Sequence, residues 1–265
     1  MRRPLLRALA RLRLLRGFYR VYEVLSALRP GTAVAADDGL PLPPRRLIVS
    51  VAGTPDRRWF LESGRLAADS IRELAARHGR PVEQADAMLD FGCGCGRVLR
   101  RWRDLRGIDL AGSDANEAAV AWCRANLRFA RFATNDLEPP LPFGTDEFDL
   151  VYALSVLTHL TEPLQRAWLR ELGRIVRADG LLLLSTHGEA YLERLSPEER
   201  LRFERGQVVV RWGEAAGSNL CAAFHSRRAL EKLTTGFELV EFVPEGAKGN
   251  PHQDLAVLRR RTTER

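Results

Sequence analysis

"LDFGCGCGRV", residues 89–98, sets three glycines at alternate positions directly after an apolar stretch, with two of the four cysteines between them. Gly92, Gly94 and Gly96 tolerate positive φ and carry no Cβ, so a ligand can lie against bare backbone. Cys93 and Cys95 offer a second reading, a metal or redox site. A tetrahedral zinc site usually takes its ligands from wider C-x₂₋₄-C pairs. Here the pair is one residue apart and Cys123 and Cys221 stand alone. We expect no metal, no disulfide framework, and free thiols that fill a tight loop in a reducing compartment.

Working outward, a regular alternation surrounds this loop. Residues 87–92, 109–114, 131–136, 148–156 and 180–186 read as strands, and the stretches after the first, second and fourth read as helices. Strands alternating with helices of this length imply parallel βαβ units. The expected fold is therefore α/β, Rossmann-like and doubly wound, with a mostly parallel sheet and helices on both faces. Beyond residue 190 the pattern changes to helix, a strand-like "QVVVRW" and a helix over 226–235. "FELVEFV" and "DLAVLRR", joined by a polar loop, then read as a hairpin, which makes the last strand antiparallel. Upstream, "SGRLAADSIRELAARHG" (63–79) reads as a helix capped by Ser63, and "LIVSVAG" (47–53) as a short strand. The expected division is a basic helical extension over 1–28, a linker with a short strand over 29–65, and one domain over 66–265.

The chain has 265 residues and a net charge of +7. Residues 1–20 hold seven arginines and no acid, while the remainder holds 34 bases and 34 acids. The charge belongs to an arm rather than to a basic face. Such an arm either packs its leucines on the body or touches an anionic membrane. The neutral body argues against nucleic acid as a partner. No stretch approaches the roughly 18 apolar residues of a membrane span, and arginines interrupt every candidate leader. The expected location is cytoplasmic, with peripheral attachment at the inner membrane face left open through residues 1–28.

Ligands of open α/β sheets bind beyond the carboxyl ends of the strands, where the strand order reverses. A dinucleotide loop needs G-x-G-x-x-G, and the sixth position here is Arg97. The spacing is instead G-x-G-x-G, with Asp90 two residues upstream. "LDFGCGCG" resembles the first motif of the class I S-adenosylmethionine-dependent methyltransferases. Asp114, "NDLEPPLPF", "FDLVYALSVLTHL" and "LRELGRIVRADGLLLLST" follow in that family's order and spacing.

The resemblance implies S-adenosylmethionine as cofactor and Gly92, Gly94 and Gly96 as its cradle. It implies Asp114 on the ribose, Asp136 and the Leu137 amide at the adenine, and Asp90 bracing the loop. A carboxylate's two acceptor oxygens suit a vicinal diol. Asp114 also fits as a helix cap, and Asp136 as a turn residue. The resemblance further implies methyl transfer to a hydroxyl or amine of a small molecule or saccharide. The alternatives are an NAD(P)-dependent oxidoreductase and a non-catalytic or membrane-associated scaffold that keeps the donor pocket. His159 and His187, each following a strand of the alternation, are the candidate catalytic bases; His225 and His252 are weaker ones, and His78 is read as the end of a helix. Tyr152 is either a face for the sulfonium or a core residue. The segment 188–225 and the loop 244–254, with Lys248, Asn250 and His252, are the expected acceptor side.

Overall fold

The computed structural model describes residues 34–261 together with Gly17, Val21, Val24, Leu25, Ser26 and Leu28. Most of the helix expected over 1–28 lies outside the described residues. Strands β1 (Ala87–Phe91), β2 (Asp109–Asp114), β3 (Arg131–Thr134), β4 (Phe148–Ala153) and β5 (Val176–His187) form the parallel part of the sheet, in the order β3-β2-β1-β4-β5. Every residue of β1 and β4 is buried. That burial on both faces explains why they read as continuous apolar runs rather than as alternation. The hairpin β8 (Phe237–Val243) and β9 (Gln253–Arg260) continues the sheet, with β9 antiparallel to both β5 and β8.

One face packs Leu89, Phe91 and Val151 against Trp168 and Leu172 of α4 (Glu162–Ile175). The other packs Met88, Tyr152 and Leu183 against Ile71 and Leu74 of α2 (Arg57–Arg77). The order reverses between β1 and β4, so the glycine loop at the carboxyl end of β1 stands at the switch point. Helix α3 (Glu117–Asn126) joins β2 to β3 and is capped by Asn116, whose side chain accepts from Ala119 N. After β5 comes an insertion: α5 (Pro197–Glu204), then the antiparallel pair β6 (Val209–Arg211) and β7 (Ala222–Phe224). It meets the sheet where Phe224 pairs with His187, and α6 (Arg227–Leu233) follows it.

Three local expectations are corrected. Residues 47–53 are not a strand: they lie in helix α1 (Arg45–Ala52), which ends at Gly53 with φ 68°. Leu47, Ile48 and Val49 are all buried there, and a short apolar run does not distinguish strand from helix by periodicity. Helix α2 starts six residues before the expected point, capped by Asp56, which accepts from Arg58 N and Trp59 N. Ser63 is an interior residue that donates to Phe60 O, and Gly64 follows it because the Arg97 carbonyl sits 2.2 Å from where a Cβ would stand. Finally, the stretch after the glycine loop forms only a 3-10 turn, Leu99–Trp102. It is gripped on two sides. Arg100 is fully buried and pairs with Asp38 through two hydrogen bonds of 2.5 and 2.7 Å, while Arg101 binds Asp37 and the Leu61 carbonyl.

Candidate active site

The glycine loop opens onto a cavity of about 1030 Å³. That is at the upper end of the roughly 300–1,000 Å³ of ligand sites. Its floor is Asp90, Gly92, Cys93 and Gly94, and its far wall is Asp114, Asn116, Asp136 and Leu137. Gly92 (φ 79°) and Gly94 (φ 53°) occupy the left-handed region. A Cβ on Gly92 would stand 2.3 Å from Val156, and one on Gly94 would stand 2.4 Å from Val51. Side chains from β4's exit and from α1 therefore press onto the loop, and only glycine admits them. Gly96 does not line the cavity. A Cβ there would meet Leu127 at 2.4 Å, so this glycine admits the end of α3.

Asp114 is fixed by backbone. Its Oδ2 accepts from Gly94 N at 2.7 Å and its Oδ1 from Asn116 N at 2.7 Å. The helix cap is Asn116, not Asp114. Each Asp114 oxygen retains acceptor capacity toward the cavity, so a held carboxylate faces the space where a diol would sit. This donor set and the glycine cradle fit an adenosyl ligand. Burial pushes the Asp114 carboxyl up, and the two N–H groups draw it back. Asp90 lies under the loop, 5 % exposed, and burial raises it to about 7 against the pull of Tyr152 and Arg97. Asp136 is exposed at the rim, and Leu137 is held by its carbonyl, which accepts from Trp168 Nε1 at 2.9 Å.

Tyr152 is a core residue: it is fully buried, absent from the lining, and its hydroxyl accepts from Trp102 Nε1. The cysteines fill space. Cys93, Cys95, Cys123 and Cys221 are buried and free, and burial pushes the Cys95 thiol well up. Cys93 Sγ stands 3.0 Å from the place of a Cβ on Gly112, so the glycine in β2 makes its room.

Three lining groups escaped sequence reasoning, and one more was expected only as part of the segment 188–225. Arg97, the residue that breaks the dinucleotide spacing, is 7 % exposed and reaches Asn250 Oδ1 at 2.8 Å. Arg46 and Ser50 come from α1. The roof is Ala216 to Asn219, from the insertion, and Asn219 Nδ2 donates to Ser50 O across the gap. The last is Ser155, with φ 62°. Its N–H donates to Ser185 Oγ, Ser185 donates to Gln253 Oε1, and Gln253 Nε2 donates back to Ser155 Oγ. Nothing in the local sequence signals that closed ring.

His159 lines the cavity beside Ser155. Its Nδ1 lies 2.9 Å from the Cys221 carbonyl, which only accepts, so Nδ1 carries the proton and Nε2 is left with a lone pair. Nε2 stands 3.4 Å from Ser155 Oγ. Burial lowers the His159 pKa and keeps the ring neutral. His187 is outside the lining. It is packed against Tyr191 and Phe224 at 4.4 and 5.4 Å, with Nδ1 toward the Ala223 carbonyl, and burial lowers it to about 4. His225 is buried on Gln165, and His78 is the C-cap of α2, bound to Glu241. In the hairpin loop only Asn250 reaches the cavity; Lys248 and His252 are exposed, and His252 pairs with Glu245. Among the described residues no cluster of three His, Cys, Asp or Glu is set to hold a metal, and no helix is long and apolar enough to cross a membrane.

The chain is similar to known proteins. The family described as "Methyltransferase domain" matches residues 89–184. A malonyl-[acyl-carrier protein] O-methyltransferase of Enterobacter lignolyticus is 30 % identical over 178 residues, 67 % of this chain and 68 % of that protein. Two further relatives of the same description match over about half their length. An S-adenosylmethionine-dependent methyltransferase structure from Methanosarcina mazei superposes with a TM-score of 0.54 at 20 % identity, covering 71 % of this chain and 98 % of that one. The Burkholderia thailandensis 1,6-didemethyltoxoflavin-N1-methyltransferase also gives 0.54 at 20 %, covering 82 % and 87 %.

Proposed function

The chain belongs to the class I S-adenosylmethionine-dependent methyltransferases, and from that premise we propose that the atom it methylates is an oxygen. The reaction is methyl transfer from S-adenosylmethionine to a small-molecule acceptor. The observation that carries the oxygen assignment is the locked tautomer of His159, a cavity-lining residue whose Nε2 keeps a lone pair 3.4 Å from Ser155 Oγ. The curated relatives support it, being O-methyltransferases by name.

When bound, the donor supplies an electrophilic methyl group on a sulfonium that leaves without activation. The protein's work is therefore alignment and proton removal, and alignment supplies much of the rate. Asp114 would hold the ribose hydroxyls, and Asp136 with the Leu137 amide the adenine edge. The backbone of Gly92 and Gly94, with Arg97 supplying positive charge, would hold the methionine end. His159 Nε2 accepts the proton of the acceptor hydroxyl or acid. Ser155, oriented by Gln253, positions that oxygen. His187 supports the His159 wall, with ring centroids 6.5 Å apart.

Three measurements test this. Calorimetric titration with S-adenosylhomocysteine is expected to show saturable binding that weakens roughly tenfold or more in Asp114→Asn, since hydrogen bonds to a charged acceptor are lost. No binding at millimolar ligand overturns the donor assignment. Mass spectrometry of products formed from labelled donor and mixed hydroxyl, carboxyl and amine acceptors locates the label; label on nitrogen overturns the oxygen assignment. In His159→Asn, which retains a donor toward Cys221 O, turnover is expected to fall about 100-fold with donor affinity unchanged.

A further inference from the structure

Four of the five exposed large hydrophobic residues in the described protein fall within eight positions: Val21, Val24, Leu25 and Leu28, at 57, 56, 60 and 74 % exposure. Val21, Val24 and Leu25 are helical, and Leu28 N bonds to Val24 O. Positions 21, 24, 25 and 28 follow i, i+3, i+4, i+7, which places them on one face of a helix. Ser26, on another side, is buried. Val24 is also part of the cavity lining, so this apolar face adjoins the mouth of the active site.

Immediately upstream are the seven arginines of residues 1–20, with no acid among them. We propose that this face docks on an anionic lipid surface, with the cavity mouth turned toward the bilayer so that an amphiphilic acceptor enters from the lipid. An apolar stripe beside a run of arginines has the two components of interfacial attachment: burial of side chains among acyl chains and attraction to acidic headgroups. A second copy of the chain fits the stripe less well. Two copies would bring together two segments that each hold seven arginines and no acid, and like charges oppose that contact. The docking stands independently of the methyl-transfer reading; only the statement about acceptor entry rests on it.

The test uses the full chain with vesicles of phosphatidylcholine alone and of phosphatidylcholine mixed with phosphatidylglycerol. The protein is expected to pellet with the mixed vesicles, less as salt rises, and to stay in solution with phosphatidylcholine alone. The triple variant Val21→Ser, Leu25→Ser, Leu28→Ser is expected to lose at least about tenfold in vesicle partition. Its S-adenosylhomocysteine affinity is expected to be unchanged, which shows it is folded. Failure of the natural chain to pellet with the mixed vesicles overturns the proposal, and so does equal pelleting of the variant. A dimer seen by light scattering and lost in the variant, without vesicle binding, assigns the face to a second copy instead. Intact vesicle binding without S-adenosylhomocysteine binding overturns the donor assignment and leaves the docking in place.

Discussion

At the scale of single residues, buried titrating groups give the site its pH behaviour. Asp90 sits at about 7 in the folded protein, because burial opposes its charge, and near 3.9 in the unfolded chain. Between those values the folded state holds a proton that the unfolded chain has released. Stability from this group therefore declines as pH rises from about 4 to 7, then levels off. His187 and His225 act in the opposite direction: burial lowers them to about 4 and 3. Their contribution is complete above about 6.5 and is lost as pH falls toward those values. Asp90→Asn removes only the first slope. Melting curves from pH 5 to 8 are expected to show the variant gaining on the natural protein as pH rises, and parallel curves would contradict the buried-acid account. Asp114 and the first two loop glycines were legible as cavity residues because strand, glycines and acid follow one another at fixed short spacing. Ser155 was not legible: its φ of 62° and its ring with Ser185 and Gln253 exist only once β4, β5 and β9 are side by side. That Gly96 stands outside the cavity lining, beside Leu127, was not legible either, because alternate glycines look alike in sequence.

At the scale of elements, close backbone contacts hold the loop in place. Gly64 brings α2 onto the Arg97 carbonyl, and Gly249, with φ 86°, brings the hairpin loop within 2.0 Å, at its Cβ position, of the Ser63 carbonyl. Both contacts are with backbone, which yields less than a side-chain tip. Gly64→Ala, although it improves helix propensity by about 1 kcal/mol, is expected to destabilise the protein by a net ~1–3 kcal/mol in urea unfolding, because overpacking dominates. It should also weaken S-adenosylhomocysteine binding, since Arg97 moves with its carbonyl. An increase in stability would show that α2 is free to shift. The strands were readable as apolar runs because they are buried on two faces, and α3 and α4 from their place in the strand–helix alternation. Helix α1 was not. Its apolar run covers the glycine loop, so Leu47 and Ile48 are buried against Phe60, Leu61 and Cys95, a tertiary demand that no local pattern displays. The short turn at Leu99–Trp102 has the same origin, since Asp37 and Asp38 hold its arginines from a distant segment.

At the scale of the whole molecule, that clamp bears on where the folded unit begins. A division at residue 66 cuts through α2 and separates Asp38 from Arg100, whose guanidinium is fully buried. Burial raises the Asp38 pKa, yet the Arg100 hydrogen bond and the Leu40 N–H outweigh it and hold the carboxyl below its ordinary value. Removing one partner of such a pair leaves an uncompensated buried charge, at a cost of about 3–5 kcal/mol. That is a large share of the ~5–15 kcal/mol that stabilises a typical protein. The same cut removes Val51 from Gly94 and Arg46 and Ser50 from the cavity wall. We therefore expect a chain starting at residue 34 to fold cooperatively and bind S-adenosylhomocysteine, and one starting at 66 to do neither. Asp38→Ala in the full chain separates the two effects, because it removes the clamp and leaves α1 covalently present. It is expected to lower the melting temperature and to weaken donor binding by less than the truncation does. If the chain starting at 66 melts cooperatively and binds with the affinity of the full protein, residues 34–61 are an ornament rather than one wall of the active site.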